Sequence, residues 1–203
     1  MDMSHGSLDF NTIHDYYRPK ILRYLTRLVG GPEAEDLAQE VFIKISRGLP
    51  DFRKRSGLST WIYRIATNTA LDKLRSLDFK YMMTGKESIE NDEVEIDDEN
   101  TWKDEKTPPV DRQLIRKEMN GCIRRVIDGL PEDYRTVIVL SDLEEMKNNQ
   151  IAEILGISLD AVKIRLHRAR AKLKEALDAQ CDFYRDERNE LACDPKQTIL
   201  HFR

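Results

Sequence analysis

The stretch NNQIAEILGISLDAVKIRLHRARAKL, residues 148–173, decides the fold of this chain. It predicts a helix, a tight turn at Gly156 and a second helix, because glycine tolerates the left-handed backbone that such a turn needs. In the second helix, apolar residues recur at spacings of four, three and four and form one inner stripe, made of Val162, Leu166, Ala169 and Leu173. The other faces are strongly basic. This pattern is typical of a helix-turn-helix that offers its second helix to DNA.

The outward surface of this second helix divides into a centre and two flanks at about 100° per residue. The centre suits base edges in the major groove, and the flanks suit phosphates. The centre consists of Asp160, Ile164, His167, Arg168 and Ala171. The flanks are Lys163 and Arg170 on one side and Arg165 and Lys172 on the other.

The totals bound the class of protein. The 203 residues suffice for one or two small domains, and the chain has neither a long apolar run nor the basic and apolar start of a signal peptide. We therefore expect a cytoplasmic location. The net charge of -4 argues weakly against a free-standing DNA-binding domain. The sequence has no nucleotide-binding glycine loop, His-Glu metal motif or clustered acid-base pair, so we expect no enzymatic activity, catalytic residue, cofactor or metal.

Two helices are predicted before residue 48. The first covers residues 8–28, with Pro19 as a possible kink or break, and ends at Gly30 and Gly31. The second covers residues 33–47, with an inner face of Leu37, Ala38, Val41, Phe42 and Ile45. Its opposite face is Asp36, Gln39, Glu40, Ile43 and Arg47. By itself, Ile43 on this face is an ordinary scattered apolar surface residue.

A basic loop, residues 51–59, leads into a third predicted helix over residues 60–77. The inner face of this helix is Ile62, Tyr63, Ala66, Ala70 and Leu74. The outer face is Trp61, Arg64, Asn68, Asp72 and Arg75. An aromatic ring, an amide and two guanidinium groups beside a basic loop suit stacking on unpaired bases and hydrogen bonding to them.

The remaining sequence completes an all-α prediction of two small helical domains joined by a flexible acidic linker. The domains are expected at 9–78 and 113–178, and the linker at 79–112, because this linker is highly charged and poor in apolar residues. Further helices are predicted over 110–127 and 132–143. Residues 179–203 form a mixed-charge extension to which the sequence assigns no role.

Three stretches occur in an order that resembles the extracytoplasmic-function sigma factors, the smallest members of the main bacterial sigma family. The likeness covers about residues 9–178. The stretches are DLAQEVFIKI (36–45), TWIYRIATNTALDKLR (60–75) after the basic loop, and LPEDYRTVIVLSDLEEMKNNQIAEILGISLDAVKIRLHRARAKL (130–173). The resemblance implies a promoter-specificity subunit of RNA polymerase, with sigma region two in the first domain and sigma region four in the second. It also implies control by an anti-sigma factor.

The resemblance assigns roles to three sets of residues. The helix over 33–47 would dock on the clamp of the largest polymerase subunit, through Asp36, Gln39, Glu40 and Ile43. The basic loop and third helix would melt the promoter −10 element and hold an extruded base, through Arg53, Lys54, Arg55, Trp61, Arg64, Asn68, Asp72 and Arg75. The helix-turn-helix would bind the −35 element through Ser158, Asp160, Lys163, Ile164, Arg165, His167, Arg168 and Arg170.

One position departs from the family pattern. Relatives often read V-K-S-R-L-H-R-A-R, whereas this chain has Ile164 in place of the serine. An isoleucine can contact a thymine methyl group but cannot donate a hydrogen bond. We therefore expect a different preference at the −35 element.

Two other interpretations stay open at this point. A stand-alone helix-turn-helix regulator would use residues 130–173 but would leave residues 33–75 without a role. A metal or thiol sensor would use Cys181, Cys193 and His201. The two cysteines are twelve residues apart and would share no face of a continuous helix, and their spacing matches no standard zinc pattern.

Overall fold

The computed structural model describes residues 9–53, 56–84, 121, 123–185, 189 and 191–196. They form six α-helices and one small β-hairpin. The predominance of helix confirms the predicted all-α class. The helices are α1 (Phe10–Val29), α2 (Gly31–Gly48), α3 (Leu58–Thr84), α4 (Glu132–Ile138), α5 (Asn148–Leu155) and α6 (Leu159–Gln180). A 3-10 turn covers Leu49–Asp51, a π-helical turn covers Val139–Leu143, and residues 123–128 are also helical. None of the described helices is long and apolar enough to cross a membrane.

These residues fall into two compact units. One lies within residues 1–96 and 139–162, and the other lies within residues 97–138 and 163–203. Helix α3 runs to Thr84, past the predicted helix end at 77 and into the predicted linker, because its first turns are anchored by packing and its later turns continue without a helix breaker. The rest of the predicted linker lies outside the described residues, as does most of the helix predicted over 110–127. The domain boundaries at 78 and 113 stay predictions.

In the first unit, α1, α2 and α3 pack around one apolar core. Helix α1 begins where the Asp9 carboxylate accepts the Thr12 amide hydrogen bond at 3.0 Å. Between α1 and α2, Gly30 has a φ of 90°, which favours a residue without a side chain. The predicted inner faces of α2 and α3 are buried, with only Leu74 half-buried. Helix α5 packs against α3 in the same unit.

Helix α1 passes through Pro19 without a break. Pro19 lies on the exposed side of the helix, where the missing amide hydrogen bond costs less than it would in the core. The apolar residues on the opposite side, Ile13, Ile21 and Leu25, hold the helix together across the proline because they are all fully buried.

In the second unit, residues after α6 form a β-hairpin of β1 (Cys181–Arg185) and β2 (Leu191–Pro195). The antiparallel register pairs Cys181 with Pro195 and Phe183 with Cys193. The expectation that the two cysteines share no face assumed a helical tail and is wrong. Side chains alternate along strands, so Cys181 and Cys193 lie on one face of the hairpin as diagonal neighbours.

Candidate nucleic-acid interface

The turn before α6 sets the direction of the predicted recognition helix. Gly156 closes α5 in the left-handed conformation, with a φ of 65° and a ψ of 32°. The Ser158 hydroxyl then accepts a hydrogen bond from the Ala161 amide at 3.1 Å, which satisfies an otherwise unpaired donor of the first turn. Ser158, predicted to contact DNA, is thus also the residue that starts the helix.

Helix α6 has the two faces that its sequence predicts. Val162, Leu166 and Ala169 are buried, and Leu173 is half-buried. The outward centre is exposed, and Ile164 in particular is 54% exposed. Lys163 and Arg170 are exposed as well, whereas Arg165 is half-buried and donates to the Asp133 carboxylate at 3.3 Å. A phosphate contact from Arg165 would therefore compete with this ion pair.

The outer face of α3 is also exposed to solvent. Arg64, Asn68, Asp72 and Arg75 are all exposed, and Arg75 lies 4.0 Å from the Asp72 carboxylate. Trp61 differs, since it is half-buried at the first turn. Its ring centroid lies 5.0 Å from that of Phe52. A Cβ atom added at Gly48 would lie only 3.1 Å from Trp61 Cζ2, so Gly48 leaves room for the indole.

Phe52 adds a second aromatic ring to the candidate site, beyond the residues predicted from sequence. It follows the turn Leu49–Asp51 and is half-buried against Trp61, in the loop whose predicted DNA contacts are all basic residues. The signal that would have found it is an aromatic residue followed by three cations in a loop that is predicted to contact bases. Of those cations, Arg53 is exposed, and Lys54 and Arg55 lie outside the described residues.

The outer face of α2 presents a mixed polar and apolar surface. Asp36, Gln39 and Glu40 are exposed, and Ile43 is 50% exposed in their midst. Glu40 pairs with Lys44 one turn later at 2.7 Å. The structure thus places the four predicted polymerase-binding residues on one accessible face. One exposed apolar side chain is ordinary by itself, so this geometry leaves the face accessible without identifying a partner.

A buried polar cluster around Glu144 was not predicted from sequence. Arg27 Nη1 lies 2.9 Å from Glu144 Oε1, and the Tyr63 hydroxyl donates to Glu144 Oε2 at 2.5 Å. Burial raises the pKa of Glu144, against the lowering effects of the Tyr63 hydrogen bond and the Arg27 charge. The pKa of Tyr63 is also raised by burial and by the neighbouring carboxylate. No sequence periodicity pairs residues so far apart in the chain.

A metal centre finds no support in the described part of the chain, where no group of three or more His, Cys, Asp or Glu side chains could hold an ion. Cys181 is buried and Cys193 is half-buried. His201, the third proposed ligand, lies outside the described residues. The diagonal placement of the two cysteines also separates their Cα atoms by roughly 7–8 Å, beyond ordinary disulfide reach.

Comparison with protein families gives two matches in the same chain. Residues 13–79 match the family described as Sigma-70 region 2, and residues 120–173 match Sigma-70, region 4. The chain is 35% identical over 173 residues to the ECF RNA polymerase sigma factor SigW of Bacillus subtilis, covering 83% of this chain and 88% of that protein. It is also 35% identical over 167 residues to the RNA polymerase sigma-H factor of Pseudomonas aeruginosa, covering 79% and 82% of the two chains.

A solved structure shares the fold. The sigma factor RpoE from Bartonella quintana, solved in complex with the anti-sigma factor NepR, superposes with a TM-score of 0.67 at 20% identity. The match covers 84% of this chain and 97% of that one. The stand-alone regulator interpretation leaves the match at residues 13–79 unexplained.

Proposed function

This chain belongs to the extracytoplasmic-function sigma factors of bacterial RNA polymerase, and we propose how its surfaces divide promoter recognition between them. As a sigma factor it binds core polymerase and directs it to promoters. The observation that carries the division is the pair of two-faced helices α3 and α6. Each buries an apolar stripe and exposes a polar face of different chemistry.

Helix α6 is the proposed reader of the −35 duplex. Its exposed centre carries Ile164, His167 and Arg168, which suit base edges in the major groove. The exposed cations Lys163, Arg170 and Lys172 on its flanks suit the phosphates on either side. Asp160 at the first turn is the acidic member of the proposed base-contacting centre. Ser158 and the flank residue Arg165 complete the proposed −35 set.

Helix α3 and the loop before it are the proposed reader of the separated −10 strand. Extrusion of a base has an unstacking cost of a few kcal/mol, which a stacking surface and hydrogen-bonding groups must offset. The Phe52–Trp61 pair offers the stacking surface, and Arg64 and Asn68 on the exposed face offer hydrogen bonds. Arg53, Lys54, Arg55, Asp72 and Arg75 complete this proposed set.

The outer face of α2 is the proposed docking surface for the clamp of the largest polymerase subunit. Ile43 supplies the apolar contact, and Asp36, Gln39 and Glu40 supply the polar rim. Since the polymerase carries out the chemistry, we propose that this chain is not an enzyme and acts in the cytoplasm with the polymerase. The fold shared with a sigma factor solved with an anti-sigma factor supports an anti-sigma factor as a further proposed partner.

Run-off transcription with purified core polymerase tests this proposal. We expect transcripts that depend on the chain and on both promoter elements, and we expect Asn68→Ala to reduce open-complex formation without loss of −35 binding. Asn11→Ala is the matched control, because Asn11 is an exposed amide on α1, outside the proposed interface. Tight binding of the free chain to duplex DNA, with no stimulation of core polymerase, would contradict the proposal.

A further inference from the structure

Helix α1 carries an exposed group of two aromatic rings and one cation, Tyr16, Tyr17 and Lys20, here called the tyrosine patch. The two rings meet edge to face, with centroids 5.0 Å apart and planes at 83°. Lys20 Nζ lies 3.8 Å from the centroid of the Tyr16 ring, within the range of a cation–π contact. Tyr16 is 59% exposed, more than any other large apolar side chain that the structure describes. No surface proposed above for promoter or polymerase includes these three residues.

Helical spacing places the patch at the edge of the core of the first compact unit. Tyr17 lies four residues after Ile13 and four before Ile21, which are both fully buried, so it continues the inner stripe of α1 and is half-buried. Tyr16 is displaced from that stripe by one residue, about 100° around the helix. Lys20 follows Tyr16 by four residues, which brings its ammonium group to the Tyr16 ring. Core packing and neighbouring side chains thus order the exposed ring.

The patch adjoins the start of α3, the proposed reader of the separated −10 strand. The Tyr17 hydroxyl lies next to the Ser59 side chain, in the first turn of that helix. Burial raises the pKa of Tyr17, and the neighbouring Ser59 side chain acts against that rise. Ser59 precedes Trp61 by two residues, which is about 3 Å along the helix axis and about 200° around it. The patch and the Trp61 ring therefore lie at the same end of α3, on different sides.

The side chains of the patch suit an unpaired base. Every base has a π-face, and proteins hold single strands by stacking bases on aromatic rings beside cations that attract the phosphates. Tyrosine provides such a surface at a low entropic cost, since it has only two side-chain torsions, and the two rings here are already packed together. Lys20 supplies the positive charge. The adjacent acidic residue, Asp15, contacts His14 at 3.3 Å on the same helix.

A single exposed tyrosine would be an ordinary surface residue. This patch differs from that case in three respects, which are the second ring packed on the first, the ammonium group against the exposed ring, and the contact with the start of α3. The first two features order a stacking surface and give it a positive charge. The third makes it continuous with the surface proposed to hold unpaired bases.

We propose that the tyrosine patch is a second stacking site for the separated promoter strand and holds an unpaired base other than the one beside Trp61. The inference rests on the proposed function, because it extends the path of the strand that α3 is proposed to bind. Rings on two sides of the start of α3 would then hold two different bases. Since these bases are accessible only after strand separation, the patch should strengthen binding to the open promoter and should not affect duplex binding.

The polymerase complex can be titrated with a fork template, in which the non-template strand is unpaired from the −10 element onward. Tyr16→Ala should weaken binding by at least about fivefold, the lower end of the loss expected for one base-stacking ring. Tyr16→Phe keeps the ring and should stay within about twofold of wild type. Because Tyr16 is largely exposed, Tyr16→Ala should fold normally. Tyr184→Ala is the matched control, since it removes a tyrosine of similar exposure, 46%, from the C-terminal hairpin and should leave binding unchanged.

Removal of single bases along the unpaired strand identifies the ligand. At one position, loss of the base should weaken wild-type binding by at least about fivefold and leave Tyr16→Ala unaffected, because the ring that held the base is already gone. Trp61→Ala should become insensitive at a different position. Additive losses at every position would overturn the proposal. Weaker assembly of Tyr16→Ala with core polymerase before DNA is added would also overturn it, since that result indicates a protein contact.

Two further variants separate failure of the patch from failure of the proposed function. Trp61→Ala and Asn68→Ala should both weaken binding to the fork template. If neither does, the assignment of α3 to the −10 strand is wrong. Unchanged binding by Tyr16→Ala overturns the patch whichever result those two variants give.

Discussion

Helices α3 and α6 share one architecture, and the proposed function gives them two different chemical tasks. Both bury an apolar stripe and expose a polar face, yet the exposed faces differ in composition. That of α3 begins with a half-buried indole and continues with an amide and a close acid-base pair, Asp72 and Arg75. That of α6 is a dense run of cations around Ile164. In the proposed division, unpaired bases are met by stacking and hydrogen bonds, and an intact duplex is met by charge.

The two helices also depend differently on their neighbours. The Trp61 ring of α3 is positioned by Phe52 and by the space above Gly48, whereas the outward centre of α6 projects from a single helix whose position is set by its buried stripe. Truncation of one residue in the buried stripe should therefore displace all of the outward side chains of α6 together. Substitutions at Phe52 or Gly48 should instead disturb mainly the Trp61 ring of α3.

The largest expected effect is that of Leu166→Ala, in the buried stripe of α6. Leu166 is 3% exposed, so its truncation leaves a cavity and should lower the free energy of unfolding by about 2–5 kcal/mol. Urea denaturation followed by circular dichroism measures this loss. Lys174→Ala, at an exposed position on the same helix, serves as the control and should change stability by no more than about 0.5 kcal/mol. Equal losses in both variants would show that the stripe is not buried.

Trp61→Ala should come next and should affect strand opening alone. Loss of one base-stacking ring costs about 1–3 kcal/mol, so open-complex formation should fall by roughly 5- to 150-fold. Permanganate reactivity of −10 thymines measures this step, and Trp61→Phe should recover part of the activity. A comparable loss in −35 duplex binding would contradict the division between the helices.

Gly48→Ala should produce a milder form of the same defect. The added Cβ atom would lie 3.1 Å from Trp61 Cζ2, so the indole must shift by a few tenths of an ångström. We expect open-complex formation to fall by less than about tenfold, since the stacking surface is displaced but retained. Gly121→Ala is the control, because an added Cβ atom meets no described residue within 4 Å there. Wild-type melting by Gly48→Ala would mean that the position of the ring is unimportant.

Lys172→Ala should have the smallest effect, confined to the salt dependence of binding. Lys172 is exposed on the proposed phosphate-contacting flank of α6. Its removal should reduce the slope of log affinity against log salt by about one, with little change in the preferred sequence. Titration of the polymerase complex against promoter DNA at several salt concentrations measures the slope. A changed sequence preference with an unchanged slope would place Lys172 on base edges instead.

The sequence predicts the local features of this protein and misses the distant ones. The stripes of α2, α3 and α6 follow helical periodicity, because burial of one face repeats every 3.6 residues. The Arg27–Glu144–Tyr63 cluster depends on tertiary packing, so no local pattern contains it. The C-terminal hairpin escaped prediction for another reason: its two strands are five residues each and carry mixed polar and apolar residues without clear alternation.

The candidate site likewise combines features that local sequence predicts with features that depend on tertiary contacts. Exposure of Ile43, Ile164 and Asn68 could be predicted from their positions on a helix. The support of Trp61 by Phe52 could not, because loop geometry decides it. The ion pair of Arg165 with Asp133 was also beyond prediction, since it joins residues of different helices.

The central claim is that one chain reads two promoter elements with two chemically different helices. Selection of promoters from a random library by the polymerase complex tests it most directly, with wild-type chain, Ile164→Ser and Asn68→Ala compared in parallel. We predict two enriched elements, with Ile164→Ser changing the preferred base by about fivefold in the upstream element alone and Asn68→Ala weakening the downstream element alone. A single enriched element, or a change of both elements by either variant, would contradict the claim.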